Sequence, residues 1–189
     1  MTDFTIHTVE TAPDAAKPLL EAARSKFSFV PNLIGGMAEA PALAEGYMTL
    51  NGIFAKTNLS ETERQVILMT NNSLNGCTYC MAAHTTISKM AGVPEDVLES
   101  LRNETPIADA KLEALRQFTK IVVESRGWPS AEQVQALLDA GYTKQTVLEV
   151  VLGTGLKTLS NYANHILHTP VDDAFKANVW EAPTKEAAE

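Results

Sequence analysis

Apolar residues recur at three- and four-residue spacing through most of the chain, and strand-like alternation over five or more residues is almost absent, so the pattern predicts an all-α protein. The first thirteen residues read as extended, and Asp14 is the candidate N-cap of a helix to Lys26. Phe27-Ser-Phe-Val-Pro-Asn32 then breaks the pattern, because Pro31 disfavours helical backbone at Val30. Pro41 opens a helix to about Lys56 with Leu43, Tyr47, Leu50, Ile53 and Phe54 on one face, ended by Asn58. Ser60 and Glu63 form a capping box, each satisfying a free N–H of the other's segment, and start a helix through Leu74 that carries Val66, Ile67 and Met69. Asn75-Gly76 stops it. A new helix runs from Cys77 or Thr78 to Met90, and Gly92 and Pro94 separate it from a short one, Glu95 to Leu101. Asp109 to Arg126 is amphipathic, with Leu112, Leu115, Phe118, Ile121 and Val122 inward, and Gly127-Trp128-Pro129 ends it. Ser130 and Gln133 make a second capping box for a helix closed by Gly141. The longest element runs from Thr143 to about His168, before Thr169-Pro170.

No Gly-, Ser- or Pro-rich linker interrupts this series, so residues 1–189 read as a single domain with a core hairpin over about 60–101 and a frayed tail over about 182–189. A chain of 189 residues buries a core without disulfide or metal staples. Charge narrows the function. With 15 Lys and Arg against 23 Asp and Glu, and no basic run, the net charge of −8 argues against nucleic-acid binding. No apolar run is long enough to span a bilayer and no secretory signal opens the chain, so a cytoplasmic location is the expectation. In that compartment a cysteine pair is more often catalytic than structural, and the two cysteines, Cys77 and Cys80, form one Cys-x-x-Cys.

On a helix that advances about 100° per residue, Cys77, Cys80 and His84 fall within roughly 60° of one another, at the elbow of the central hairpin. Unpaired N–H groups and the dipole at a helix start stabilise a thiolate, and a neighbouring imidazole can take the thiol proton. Thiols three positions apart can also close a disulfide with little backbone movement, so one can attack a peroxide or disulfide while the other resolves the product. Nearness to the helix start favours Cys77 as the more acidic thiol; the imidazole one turn away favours Cys80. Rival chemistries fit less well. Zinc on Cys77, Cys80 and His84 would need a fourth ligand, and three ligands on one helix converge poorly on a tetrahedron. Haem attachment needs a histidine where Met81 stands, and a thioredoxin-like site needs a preceding strand. Two cysteines that only pack are the plain alternative.

Ser60-x-x-Glu63 followed by Leu74-Asn75-Gly76-Cys77-x-Tyr79-Cys80-x-Ala82-Ala83-His84 resembles the alkyl hydroperoxidase D (AhpD)-like, carboxymuconolactone decarboxylase-like superfamily, in its peroxidase-related branch. The likeness takes in Phe29-Val30-Pro31-Asn32 before the core, and Asn161-Tyr162-x-Asn164-His165 with Thr169-Pro170-x-Asp172 after it. It implies an AhpD-like helical bundle in a homo-oligomer, often a trimer or hexamer. It further implies Cys80 as the peroxide-attacking thiol, Cys77 as its resolving partner and His84 in a proton relay. No bound cofactor is implied, and the reductant is an external dithiol, in the family sometimes lipoyl-bearing. One position departs. The family's peroxidases carry a relay glutamate twelve residues before the first cysteine, where this chain has Gln65, which cannot exchange a proton at neutral pH. Glu61, one turn earlier on the same side, is the candidate substitute.

The long C-terminal helix sets Lys157, Asn161, Asn164, His165 and His168 beside apolar residues, a polar stripe that can face solvent, a subunit interface or the site, with His165 as a candidate neighbour of the thiols. Phe27 and Phe29 are expected to plug the core or line an apolar channel, and Gly153 and Gly155 to mark close approach of another helix. The leading reading is a thiol-dependent peroxidase that reduces hydroperoxides through a Cys77–Cys80 couple. The alternatives are a lyase of the same superfamily, in which His84 and a carboxylate act on a lactone, and a non-enzymatic redox sensor.

Overall fold

Both capping boxes close. The Glu63 N–H donates to the Ser60 hydroxyl at 3.2 Å while the Ser60 N–H donates to the Glu63 carboxylate at 2.8 Å, and Ser130 and Gln133 repeat the exchange. The structure is a computed structural model and describes residues 4–183, so the expected frayed tail lies, from 184 on, outside the described residues. Among the described residues there are nine α-helices and no strand: α1 (Lys17–Phe27), α2 (Asn32–Met37), α3 (Pro41–Phe54), α4 (Glu61–Leu74), α5 (Thr78–Met90), α6 (Glu95–Asn103), α7 (Ala110–Glu124), α8 (Ala131–Asp139) and α9 (Lys144–Leu167), followed by a 3-10 helix (Asp173–Asn178).

α4 is the axis of the bundle, packed by α5, α6, α7 and α9, and every residue from Gln65 to Ser73 is buried. Its polar residues are tolerated there because each makes at least one hydrogen bond, although Asn71 Oδ1 and Asn72 Nδ2 stay unpaired among the described residues. Thr70 and Asn71 donate to the Val66 and Ile67 carbonyls of their own helix, Ser73 donates to Glu104 at 2.8 Å, and Asn72 accepts from Asn161 at 3.1 Å. The main core joins Ile67 and Met69 of α4 to Phe54, Leu98, Leu115, Phe118 and Leu156. A second cluster holds Cys77, Tyr79 and Cys80 with Leu33, Met37, Ala163 and Phe175, so the thiols sit inside apolar packing between α2, α5, α9 and the 3-10 helix.

Three expectations are corrected. α1 is capped by Ala16, not Asp14, which instead meets Lys17 at 2.7 Å. α2 stands just after the Phe27–Asn32 break, where the pattern predicts no helix. Both of its glycines serve close packing: a Cβ would lie 2.7 Å from the His7 carbonyl oxygen at Gly35 and 2.7 Å from Leu167 at Gly36. Finally, Gly153 marks a close approach but Gly155 does not within the chain, since a Cβ on Gly155 would meet open space.

At Gly153 a Cβ would lie 2.7 Å from Ile67 Cγ2 and 3.0 Å from the Phe54 ring, both fully packed. Gly153→Ala gains about 1 kcal/mol of helix propensity but overpacks a full core at about 1–3 kcal/mol. The expected net is a loss of about 1 kcal/mol, read as a thermal midpoint lowered by about 2–4 °C; an unchanged or raised midpoint would contradict this packing.

Candidate functional site

The elbow between α4 and α5 is built from backbone hydrogen bonds. Asn75 caps α4, Gly76 takes φ +63°, the Cys77 N–H donates to the Asn72 carbonyl at 2.9 Å and the Gly76 N–H to the Ser73 carbonyl at 2.9 Å, the pairing of a Schellman motif. The turn delivers Cys77 as the N-cap of α5 and Cys80 within its first turn. α9 clamps the elbow: Asn75 Nδ2 donates to Asn161 Oδ1 at 2.9 Å, and Asn161 Nδ2 to Asn72 Oδ1 at 3.1 Å. Tyr79 fixes the other side. Its hydroxyl donates to Asp172 at 2.6 Å and accepts from the Leu33 N–H at 3.3 Å, while Asp172 accepts from the Asn32 N–H at 3.1 Å. The segments around Pro31 and Pro170, far apart in sequence, thus meet at the thiols' helix.

Both cysteines are free and buried. Asn164 Nδ2 donates to Cys80 Sγ at 3.1 Å and lies 3.8 Å from Cys77 Sγ. Lys157 is only 1% exposed, with its Nζ 3.2 Å from His84 Nε2, and among the described residues no carboxylate pairs with it. Burial by itself would push the Cys80 thiol up. The hydrogen bond from the Cys77 thiol, the Lys157 charge, and hydrogen bonds from Ser160 and Asn161 outweigh it and hold Cys80 well below the ordinary thiol range. Cys77 moves the opposite way: donating its proton to Cys80, then burial and the neighbouring negative charge, keep it protonated. The helix-start argument for Cys77 therefore loses to a charge and four hydrogen-bonding groups gathered on one sulfur.

His84 is held at both nitrogens. Glu61 Oε1 accepts from Gln65 Nε2 at 2.7 Å, which turns the Gln65 oxygen toward His84 Nδ1 at 2.9 Å. That oxygen only accepts, so the imidazole proton sits on Nδ1 and Nε2 accepts from Lys157. Burial, and then the Lys157 charge, push the His84 pKa well below its ordinary value, so the ring is neutral. Gln65 does not carry a proton onward; it fixes the tautomer. Glu61 does not reach the elbow directly, as its carboxylate is engaged by Gln65 and by Arg64 at 2.7 Å.

Cys80, His84 and Lys157 line a cavity of about 250 Å³ whose remaining wall includes Phe27, Tyr47 and Phe175. Phe27 therefore takes the channel role and Phe29 the packing role, edge-on to Phe175 with ring centres 5.9 Å apart. His165 is exposed and makes no side-chain hydrogen bond to His84, Gln65 or Lys157 among the described residues; it lines a surface cleft with Cys77. Of the three fates open to the polar stripe of α9, Lys157, Asn161 and Asn164 take the site. Their i, i+4, i+7 spacing was the available signal. Among the described residues no group of three or more His, Cys, Asp and Glu side chains is placed to hold a metal ion, and no helix is long and apolar enough to cross a membrane.

Residues 41–120 match the sequence model of the carboxymuconolactone decarboxylase family. No curated protein matches the chain by sequence. The fold is similar to that of an AhpD-core, uncharacterized peroxidase-related protein from Ralstonia eutropha JMP134, at 21% identity over 91% of this chain and 93% of that one, with a TM-score of 0.78. A peroxidase-related protein from Silicibacter sp. TM1040 is similar at 18% identity over 92% of each chain, TM-score 0.76. The debrominase Bmp8, as a cysteine-to-alanine variant with 2,3,4-tribromopyrrole, is similar at 19% identity over 87% of this chain and 89% of that one, TM-score 0.71. The chain therefore has the AhpD-like helical fold, and its residues 41–120 carry the sequence pattern of the carboxymuconolactone decarboxylase family.

Removing the Lys157 charge should release Cys80. In Lys157→Met, thiolate absorbance followed against pH should show the lower thiol transition moving up by about 1–3 units, the range for loss of a close opposite charge. Because the folded-state value lies below the unfolded one, this thiolate contributes stability that is present above the unfolded thiol's pKa and lost as pH falls through the folded value. An unmoved transition would show that Lys157 is not the thiolate's counter-ion.

Proposed function

We propose that this protein is a thiol-dependent peroxidase in which Cys80 attacks a hydroperoxide and Cys77 resolves the product. The observation that carries the reading is a low-pKa Cys80, hydrogen-bonded by a protonated Cys77, at the wall of an apolar cavity that also presents Lys157. The Cys80 thiolate attacks one peroxide oxygen, the O–O bond breaks, and the alcohol leaves with a proton for which the Lys157 ammonium is the positioned donor. The Cys77 sulfur then attacks the Cys80 sulfenic acid, its proton leaves with the hydroxyl as water, and the disulfide forms. An external dithiol restores both thiols. His84 and Gln65 act by orienting Lys157.

The apolar, partly aromatic cavity and the debrominase's fold support a second reading, in which the same two thiols deliver their electrons to a small bromoaromatic, releasing bromide and forming the same disulfide. The lyase reading has less support, since both His84 nitrogens are engaged and neither meets a carboxylate. For the peroxidase, stoichiometric organic hydroperoxide should convert both thiols to an intramolecular disulfide by mass spectrometry. Cys77→Ser should stop at a trappable sulfenate and Cys80→Ser should not consume peroxide. Full turnover in Cys80→Ser would sink the reading, and bromide release without peroxide consumption would favour its rival.

Assembly with further copies of the chain, as a trimer or hexamer, is proposed through the outer face of α9. Leu148, Val151, Tyr162 and Ile166 are exposed there at helical spacing around Gly155, which leaves room for a neighbouring helix. The Leu148→Glu/Ile166→Glu variant should show a lower mass by light scattering; an unchanged mass would remove this face from any interface.

A further inference from the structure

The two sulfurs open onto different surfaces. Cys80 lines the apolar cavity and Cys77 does not, whereas Cys77 lines a separate, open cleft of about 310 Å³ that Cys80 does not reach; Tyr79 is the one lining residue they share. The cleft is polar, walled by Thr78, Asn164, His165, His168 and Thr169. Two polar atoms there have no protein partner among the described residues: the Oδ1 of Asn164, a residue only 4% exposed, and the Oγ1 of Thr169. Both atoms are enclosed as the side chains stand, and because a buried polar atom left unpaired is costly, a side-chain turn that brought either of them to a polar ligand in the cleft would relieve that cost.

Resting on the thiol-couple reading above, we infer that the Cys77 cleft is the docking site of the dithiol reductant, separate from the cavity that admits the oxidant, with His165 and His168 taking the incoming thiol's proton. In the oxidised protein the reductant's first thiol loses its proton to an imidazole and its sulfur attacks Cys77 Sγ. The Cys77–Cys80 bond breaks, a mixed disulfide forms on Cys77, and the electron pair leaves on Cys80 as thiolate. The reductant's second thiol then attacks its own mixed-disulfide sulfur, closes its disulfide and expels Cys77, which recovers a proton. Geometry and leaving-group strength agree on this order. Only Cys77 is reached from the cleft, and expelling Cys80 puts the charge on the sulfur that Lys157 and Asn164 stabilise.

The test begins with protein oxidised by diamide, which closes the disulfide without peroxide chemistry, and follows the rate of its reduction by dithiothreitol and by a phosphine, which needs no base. Thr78→Trp, at an exposed position on the cleft rim, should slow both reductants by about tenfold or more. His165→Trp is a second occluding variant should Thr78→Trp fold poorly. Ala22→Trp, at the exposed rim of the apolar cavity, should slow thiol oxidation by an organic hydroperoxide and leave reduction at the wild-type rate. His165→Gln/His168→Gln should slow dithiothreitol by about 10²-fold, the lower range for general base help, and leave the phosphine rate unchanged. Wild-type reduction rates in both occluding variants, or reduction slowed equally by Ala22→Trp, would overturn the cleft. An equal loss of both reductants in the histidine variant would overturn the base role. If diamide forms no Cys77–Cys80 disulfide, this inference and the thiol-couple reading fall together. The expected pattern in a protein inert to hydroperoxide would overturn the peroxidase reading alone.

Discussion

A lysine ammonium enclosed by protein, with no carboxylate beside it among the described residues, is the constraint around which this site is arranged. Such a charge is expensive to bury unless an anion or strong acceptors meet it. Lys157 meets the neutral Nε2 of His84 and the field of Cys80. The remaining features follow from that requirement. Cys80 is the sulfur that ionises, Cys77 stays protonated to donate to it, and His84 is held neutral with its lone pair toward the ammonium by a glutamine that Glu61 has oriented.

The fold's part is to deliver that charge at the right depth. α9 makes its contacts in order along one face. Gly153 seats it against Ile67 and Phe54, Lys157 one turn later reaches His84, Asn161 spans the elbow, and Asn164 touches both sulfurs. A helix held off by even a methyl at Gly153 would lift all three polar side chains together. The Schellman turn at Gly76 does the corresponding work on α5, placing Cys80 toward the same line.

What the sequence made legible was local. The capping boxes and the Asn75-Gly76 stop depend on residues within a few positions of one another and lie where the pattern puts them, whereas only Cys80 and His84 of the expected trio share a cavity wall. What it concealed was non-local. The polar stripe on α9 could not be assigned among solvent, interface and site because α9 is apolar on its outer side as well, with Leu148 and Ile166 exposed, so the hydrophobic pattern does not say which side is in. Gln65 read as a gap in a relay because its meaning lies in two partners, Glu61 and His84, and not in its own chemistry. The helix at Gly35-Gly36 was hidden because these glycines answer to His7 and Leu167, distant in sequence, and not to the conformational freedom they usually signal.

In the proposed Cys77–Cys80 couple, the enclosed ammonium also bears on the electron affinity. When the two sulfurs join, the anion that balances Lys157 disappears, so once the proton given to the alcohol is restored from solvent the oxidised protein carries an uncompensated charge in its interior. The same interactions that make Cys80 a good nucleophile therefore weight the equilibrium toward the dithiol, as in oxidoreductases whose reduced form is the stabilised one. On the proposed thiol cycle the reduced state is the stabilised one, and a mild electron donor would return the oxidised state downhill.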